Sequence, residues 1–353
     1  MSVLPVRLWR VCAGVTAALG LAAVFPAGGS AATVAQPGGA TAVREYGGTI
    51  VFSQFDWTTR RWYLTVRRAG ATAQRLKVAS NHLAFDADIG TDSRGRAQLI
   101  YQRCKGSSYR PTGCNLFVYS LVNGTGERPV RNANDPSHND VHATIWRGRI
   151  AWTREYGSGR NANPVVYTKT LTAPRSQPSR RLPGVPRTRC GDVDKVCGPT
   201  AYRDVQALEL SGNNLAVTVF YLCKGCSGSG QSELRLNRLT DGSSRRIALL
   251  VVGESGPQLV GPSFFDGRLA WYKTCGFSTC NTARPWRYRL STGSYQRGQQ
   301  GPRRLAGFAD SGSRLYQVLG CNGGIGSPPQ RTSNCRIDET AAPTYSAAPA
   351  PIR

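Results

Sequence analysis

The stretch from Gly261 to Gly293 constrains the fold most, because the rest of the chain repeats it. It holds a turn at Asp266-Gly267, an apolar run from Leu269 to Tyr272, and a loop flanked by Cys275 and Cys280. A second run follows from Trp286 to Leu290, then a turn at Ser291-Thr292-Gly293. Short apolar runs bounded by glycine turns read as antiparallel strands. The run after the first turn recurs as Gly48-Thr-Ile-Val-Phe52, Gly95-Arg-Ala-Gln-Leu-Ile-Tyr101 and Gly148-Arg-Ile-Ala-Trp152. It recurs again as Gly212-Asn-Asn-Leu-Ala-Val217, Gly267-Arg-Leu-Ala-Trp271 and Gly312-Ser-Arg-Leu-Tyr316. Successive glycines lie 47, 53, 64, 55 and 45 residues apart, and the long step contains an insertion at 183–199. A period near fifty with about four short strands per unit is the signature of a β-propeller. Six anchors predict an all-β, six-bladed β-propeller of four-stranded blades.

The blades are expected near 43–78, 83–131, 140–183, 204–252, 259–300 and 303–339, within a propeller spanning 43–339. Runs such as Leu215-Ala-Val-Thr-Val-Phe220 are apolar on both faces, as a sheet packed between two neighbours requires. The sixth unit shows no clear outermost strand, and a segment near 33–43 is available to close the ring. Residues 340–353 are Ala/Pro-rich and read as a flexible tail.

Residues 1–32 carry Arg7 and Arg10, an apolar stretch from Val11 to Phe25, and small residues ending Ser30-Ala31-Ala32. That order is the signal-peptide pattern, either cleaved or kept as an anchor. Residues 33–42 read as a low-complexity leader. The expected location is secreted, outside the cytoplasm. Apart from Cys12, the cysteines fall in five close pairs: Cys104 with Cys114, Cys190 with Cys197, Cys223 with Cys226, Cys275 with Cys280, and Cys321 with Cys335. In an exported chain this spacing reads as local disulfides clamping loops between adjacent strands. The pair Cys190 and Cys197 lies in the insertion and stands apart from that blade geometry. Cys223-Lys-Gly-Cys226 ends a β-like run instead of opening a helix, which argues against a redox motif.

Lysine plus arginine exceed aspartate plus glutamate by 45 − 20 = 25. Such a balance attracts polyanions, glycans or acidic protein surfaces, and the arginines are scattered in pairs, not run together. No fold signature for sequence-specific nucleic-acid binding is present. Nothing in the chain suggests assembly beyond a monomer.

Here a resemblance enters. Asp88-Ile-Gly-Thr-Asp-Ser-Arg-Gly-Arg96, Ile100-Tyr-Gln-Arg-Cys104 and Gly113-Cys-Asn-Leu-Phe117 resemble a repeat of the TolB-like, WD40-like six-bladed propellers of secreted bacterial proteins. The resemblance covers about 43–339 and is specific for architecture. It implies no single function, because propellers host binding, scaffolding and many chemistries. The first and third units lack the loop cysteines and depart from the repeat.

Catalytic motifs are sparse. There is no G-x-S-x-G, and His82, His138 and His142 are the only histidines. His138 and His142 form the sole spacing open to a structural zinc. Asp86-Ala-Asp-Ile-Gly-Thr-Asp92 resembles the start of a calcium loop, but Ala97 stands where a bidentate glutamate is needed, which leaves only a looser Ca2+ site. Innermost strands of a propeller line its channel, and three begin with an aspartate in similar register: Asp86, Asp140 and Asp204. His142 and Gln206 follow two residues after the last two. These five residues are the expected ligand-binding set at the channel mouth, unless each aspartate merely bonds its own turn. The leading expectation is a non-catalytic binding or scaffold propeller. Its alternatives are a polysaccharide-active lyase or hydrolase and a structural cell-envelope protein.

Overall fold

The computed structural model describes residues 31–107, 110–122, 124, 126–157, 163–174, 176–182, 202–222, 230–252, 258–275, 283–322 and 329–351. The described residues form one compact unit. Among the described residues there is no helix, and none therefore long and apolar enough to cross a membrane.

The chain opens with β1 (Ala32–Ala35) and then builds blade one from β2 (Val43–Tyr46), β3 (Thr49–Asp56), β4 (Arg61–Arg68) and β5 (Gln74–Arg75). Blade two is β6 (Ala87–Thr91), β7 (Ala97–Ser107), β8 (Arg110–Ser120) and β9 (Arg128–Pro129). Blade three is β10 (Asn139–Trp146), β11 (Arg149–Tyr156), β12 (Asn163–Thr170) and β13 (Arg180–Arg181). Blade four is β14 (Tyr202–Ser211), β15 (Asn214–Leu222), β16 (Gly230–Arg238) and β17 (Ser244–Val252). Blade five is β18 (Leu259–Phe265), β19 (Arg268–Lys273), β20 (Arg284–Arg289) and β21 (Tyr295–Arg297). Blade six takes β22 (Gly307–Asp310), β23 (Arg314–Leu319) and β24 (Arg336–Ala341), with β1 as its outermost strand. A last strand, β25 (Ser346–Ala348), adds a fifth strand to blade five. The six innermost strands each touch the next, and β2 touches both β6 and β22, so the ring is closed.

The repeat has a physical reason. All six anchor glycines lie at the turn from innermost to second strand with φ between 60° and 93°, a conformation that side chains resist. The run after each glycine is a second strand, whose alternate side chains enter opposite faces. Leu269 and Trp271 pack toward blade four, while Ala270 and Tyr272 pack toward blade six. Ile150 and Trp152 face blade two, and Ala151 faces blade four. Among the described residues the core divides into six main clusters, one at each blade interface, and a small seventh around Cys104, Cys114 and Val141. Each fully buried aromatic or aliphatic side chain there contributes about 1.5–3 kcal/mol. Gly90 shows how closely the innermost strands approach: a Cβ there would drive into the Ile145 carbonyl of the next blade.

Side chains stitch blades where no sheet runs between them. Ser53 Oγ donates to Phe85 O at 3.0 Å and accepts from Phe85 N at 2.7 Å. Ser263 Oγ does the same for Asp310, at 3.1 and 3.2 Å.

The segment near 33–43 closes the ring as its position allows, while the tail departs from expectation. Ala32, placed at the end of the signal peptide, begins β1, and Thr33 Oγ1 donates to Asp338 Oδ1 at 2.8 Å. The residues read as low-complexity leader thus supply the strand missing from blade six. The tail is docked instead of flexible: β25 pairs with β21, and Leu249 N donates to Pro351 O at 3.3 Å. Tyr345 Oη donates to Asp310 Oδ2 at 3.2 Å, with the Arg287 guanidinium 3.9 Å from the Tyr345 ring. That tyrosine forms contacts a composition-based reading of the tail does not register.

Two disulfides lie within the described residues, Cys104–Cys114 and Cys321–Cys335, with Cα atoms 4.0 and 4.4 Å apart. Both join the second and third strands of a blade. Cys275 is disulfide-bonded, and its expected partner Cys280 lies outside the described residues. The expected disulfide between Cys190 and Cys197 falls in the insertion at 183–199, and both cysteines lie outside the described residues. The same holds for the pair expected between Cys223 and Cys226, and for residues 1–30 of the expected signal peptide. The local-clamp reading therefore rests on the bridges of blades two and six, and it does not extend to Cys190, Cys197, Cys223 or Cys226.

Candidate functional site

The turns from innermost to second strand occupy one face of the ring. The opposite face carries the starts of the innermost strands, the blade-to-blade connections and the clamped loops. At that face β10, β14 and β18 each break register near the strand start: between Val141 and Thr144, between Val205 and Ala207, and between Val260 and Ser263. A β-bulge bends the strand and re-aims one side chain. The residues so placed include His142, Gln206 and Gly261. His142 adopts φ 50°, unusual for a residue with a Cβ and costly unless its surroundings hold it.

Its surroundings do hold it. His142 N donates to Gln102 Oε1 at 2.5 Å, and His142 Nδ1 lies 2.6 Å from Asp86 Oδ2. The two side chains keep 21% and 17% exposure, so the pair faces the channel mouth and is reachable from solvent. Asp204 and Glu155 complete the surround, and both act on the imidazole charge. Glu155 Oε2 accepts from Asn139 Nδ2 at 3.2 Å. The same amide donates to Pro111 O at 3.1 Å and accepts from Cys114 N at 3.2 Å. The Cys104–Cys114 clamp thereby fixes the residue that orients Glu155.

Burial disfavours the His142 imidazolium, but the Asp86 hydrogen bond and the charges of Asp86, Asp204 and Glu155 outweigh it and raise its pKa. Burial pushes Asp86 up, yet the hydrogen bond and charge of His142, helped by Arg44, bring it below the ordinary carboxylate value. Asp204 is raised by burial and by Glu155, against an opposing pull from His142. Two carboxylates around one imidazole are thus driven in opposite directions.

Beneath the mouth the channel is occupied. Arg44 reaches across from blade one, donating through Nη1 to Pro262 O at 3.2 Å and standing 3.7 Å from Glu209 Oε2. Asp88 Oδ2 accepts from Thr144 Oγ1 at 2.7 Å and Ile145 N at 2.8 Å. Burial raises Asp88 and raises Glu209 well above its usual value. Buried polar groups thus fill the channel beneath the mouth.

Of the five expected site residues, Asp86, His142 and Asp204 come together, and Gln206 sits on the adjoining bulge. Asp140 does not join them. It is fully buried, accepting from Trp152 Nε1 at 3.0 Å, Arg154 Nε at 2.8 Å and Asp135 N at 2.8 Å. Strand alternation turns it into the blade interface, while the bulge turns His142 to the channel. The zinc reading of His138 and His142 is also corrected: His138 pairs with Asp135 at 3.2 Å, away from His142. The aspartates of the calcium-like run diverge as well, since Asp92 accepts from Arg94 N and Arg96 N in its own turn. Among the described residues, no group of three His, Cys, Asp or Glu is placed to hold a metal. Sequence reasoning missed Glu155, Gln102 and Arg44. Glu155 and Gln102 share one register, each seven residues beyond its anchor glycine, Gly148 or Gly95. That alignment would have found both.

No family model and no curated protein matches the chain. Solved structures do. The alpha-L-arabinanase of Penicillium chrysogenum complexed with arabinobiose is similar at 10% identity, covering 88% of this chain and 97% of that one, with a TM-score of 0.51. The alpha-L-arabinofuranosidase of Fusarium graminearum with arabinobiose is similar at 10% identity, covering 89% and 97%, with a TM-score of 0.52. The Fusarium enzyme with an iminosugar inhibitor gives 10% identity, 85% and 92% coverage, and a TM-score of 0.50. The chain shares the propeller fold of these proteins. They also correct the leading expectation of a non-catalytic binding or scaffold propeller, since these three likenesses are to an arabinanase and an arabinofuranosidase.

Proposed function

We propose that the protein is a glycoside hydrolase with its reaction centre at the channel mouth. The observation that carries this is the Asp86–His142–Asp204 group, in which the imidazole lowers the pKa of one carboxylate while burial raises that of a second. Glycosidic bonds are cleaved by such a division of labour. Asp204, raised by burial and Glu155, gives its proton to the leaving oxygen as the C–O bond breaks. Asp86, aimed by His142, faces the anomeric carbon. It either takes the proton of the attacking water or attacks first itself. The two routes leave opposite anomers, so the product's configuration distinguishes them. Glu155 adds to the upward push on Asp204.

The arabinanase and the arabinofuranosidase that share the fold each hold arabinobiose, and a glycan substrate for this chain accords with them. Among propellers we place its repeats with the TolB-like, WD40-like group, on the runs ending at Cys104 and Phe117. We place its action outside the cytoplasm, where disulfides such as Cys104–Cys114 persist.

The test is release of reducing ends from a panel of neutral and acidic polysaccharides by the wild type and by Asp86→Asn. The expected result is turnover of at least one glycan, with a bell-shaped pH profile. The rate falls as pH drops through the lowered Asp86 value and as pH rises through the raised Asp204 value. Equal turnover by Asp86→Asn would refute the assignment.

A further inference from the structure

We propose that Gln206 reads the hydroxyl groups of an uncharged glycan unit seated in the mouth, and that the acids around it keep anionic units out. The proposal rests on the hydrolase reading above. Gln206 stands at the β14 bulge, the counterpart of the β10 bulge that presents His142. Val205 and Ala207 on either side are buried, while Gln206 is half-exposed. The bulge therefore takes one side chain out of the blade core and leaves its neighbours packed. At the third bulge Gly261 offers no side chain. Of the three bulges, one presents an imidazole already bound to Asp86, one is bare, and one presents an amide.

That amide has no work in the fold. His142, Asp86 and Glu155 all have partners in the blades around them. Gln206 forms no side-chain hydrogen bond among the described residues. A glutamine carries two donors and one acceptor with two lone pairs. Left against a ligand that offers nothing in return, a half-buried amide costs free energy, so it favours a ligand that both donates and accepts. Sugar hydroxyls do both. A site built to bond a hydroxyl also rejects analogues lacking it far more strongly than an apolar pocket would.

The charge of the unit follows from the same surround. Asp86, Asp204 and Glu155 crowd one imidazole, and Asp204 is already held against ionisation partly by Glu155. A uronate, sulfate or phosphate placed among them would meet the carboxylates of Asp86 and Glu155. The chain's excess of 25 positive charges does not reverse this, because it is spread over the molecule while the mouth is locally acidic.

The experiment uses the full chain with Asp204→Asn, which holds ligand without turning it over, with and without Gln206→Leu or Gln206→Asn. Binding is measured by calorimetry with neutral arabino-, xylo- and gluco-oligosaccharides and with oligogalacturonate. The expected result is binding of at least one neutral oligosaccharide and none of oligogalacturonate. Gln206→Leu weakens it at least tenfold, Gln206→Asn weakens it less, and all variants keep the parent's melting temperature. Unchanged affinity in Gln206→Leu, or no binding of any neutral oligosaccharide, overturns the role of Gln206. Tighter binding of oligogalacturonate overturns the substrate class. If Gln206→Leu fails to fold, Gln206→Asn decides alone. Neutral-glycan binding that depends on Gln206, in a chain whose wild type cleaves nothing, would sustain this proposal while refuting the hydrolase reading.

Discussion

At the residue scale, the mouth is a set of charges that set one another. His142 is the hinge of that set, and its sign of coupling to stability can be worked out. Its pKa in the fold is raised, so the Asp86–His142 pair stabilises the protein in full below the unfolded value of about 6.5 and loses that contribution as pH rises through the higher folded value. Asp86, lowered in the fold, contributes above its unfolded value near 3.8 and loses it as pH falls through the folded one. The unfolding free energy of the wild type should therefore exceed that of His142→Gln most at pH 5–6 and converge on it toward pH 9. A gap that is constant across that range would show that the pair does not titrate. A proton-detected titration of the His142 ring should in turn move downward in Asp86→Asn. Part of this site was legible in the sequence. Asp86 and Asp204 stood at matching strand starts and His142 two residues beyond a third. Asp140 was misplaced because spacing alone does not reveal a bulge, and one inserted residue reverses which side chain meets the channel. Arg44 escaped because a lone arginine in a chain with 45 basic residues carries no signal until the ring brings it across the channel.

At the scale of elements, the second strand of each blade was the legible one, since burial on both faces demands an unbroken apolar run. The outer strands were not. β5, β9 and β13 are two residues long, and β1 is a small-residue strand that finds its partner β24 from the far end of the chain. What fixes such strands is closure, not propensity. Deleting residues 31–36 should accordingly cost more stability than deleting 344–351, because the first exposes an edge of blade six and the second removes only a fifth strand, the Tyr345–Asp310 bond and the Arg287 stacking. Thermal melts of the two truncations should show the larger fall for the first, and the reverse order would contradict the closure account. The Cys104–Cys114 clamp closes a loop with a sequence separation of 10. Replacing both cysteines by serine should lower stability by about 2–3 kcal/mol on the chain-entropy account. It should also reduce turnover, through Cys114 N, Asn139 and Glu155, beyond what the loss of stability explains.

At the scale of the molecule, a ring of six sheets isolates the mouth from the rest of the surface, and the two differ in charge. The chain's net charge of +25 should draw it onto anionic polymers, and salt should release it by screening. Turnover of a soluble neutral glycan at the mouth should respond far less to the same salt, because close charges in a half-buried recess are screened weakly. Matched loss of adsorption and turnover between low and high salt would place the reaction on the open surface instead. The claim beneath all of this is that Asp204 protonates a leaving sugar oxygen. The most direct measurement is the rate of Asp204→Asn on two substrates of the same sugar: the natural glycan and an aryl glycoside whose phenolate leaves without protonation. The account predicts a fall of at least about a hundredfold on the glycan and a much smaller fall on the aryl glycoside. Equal falls on both, or none on either, would contradict it.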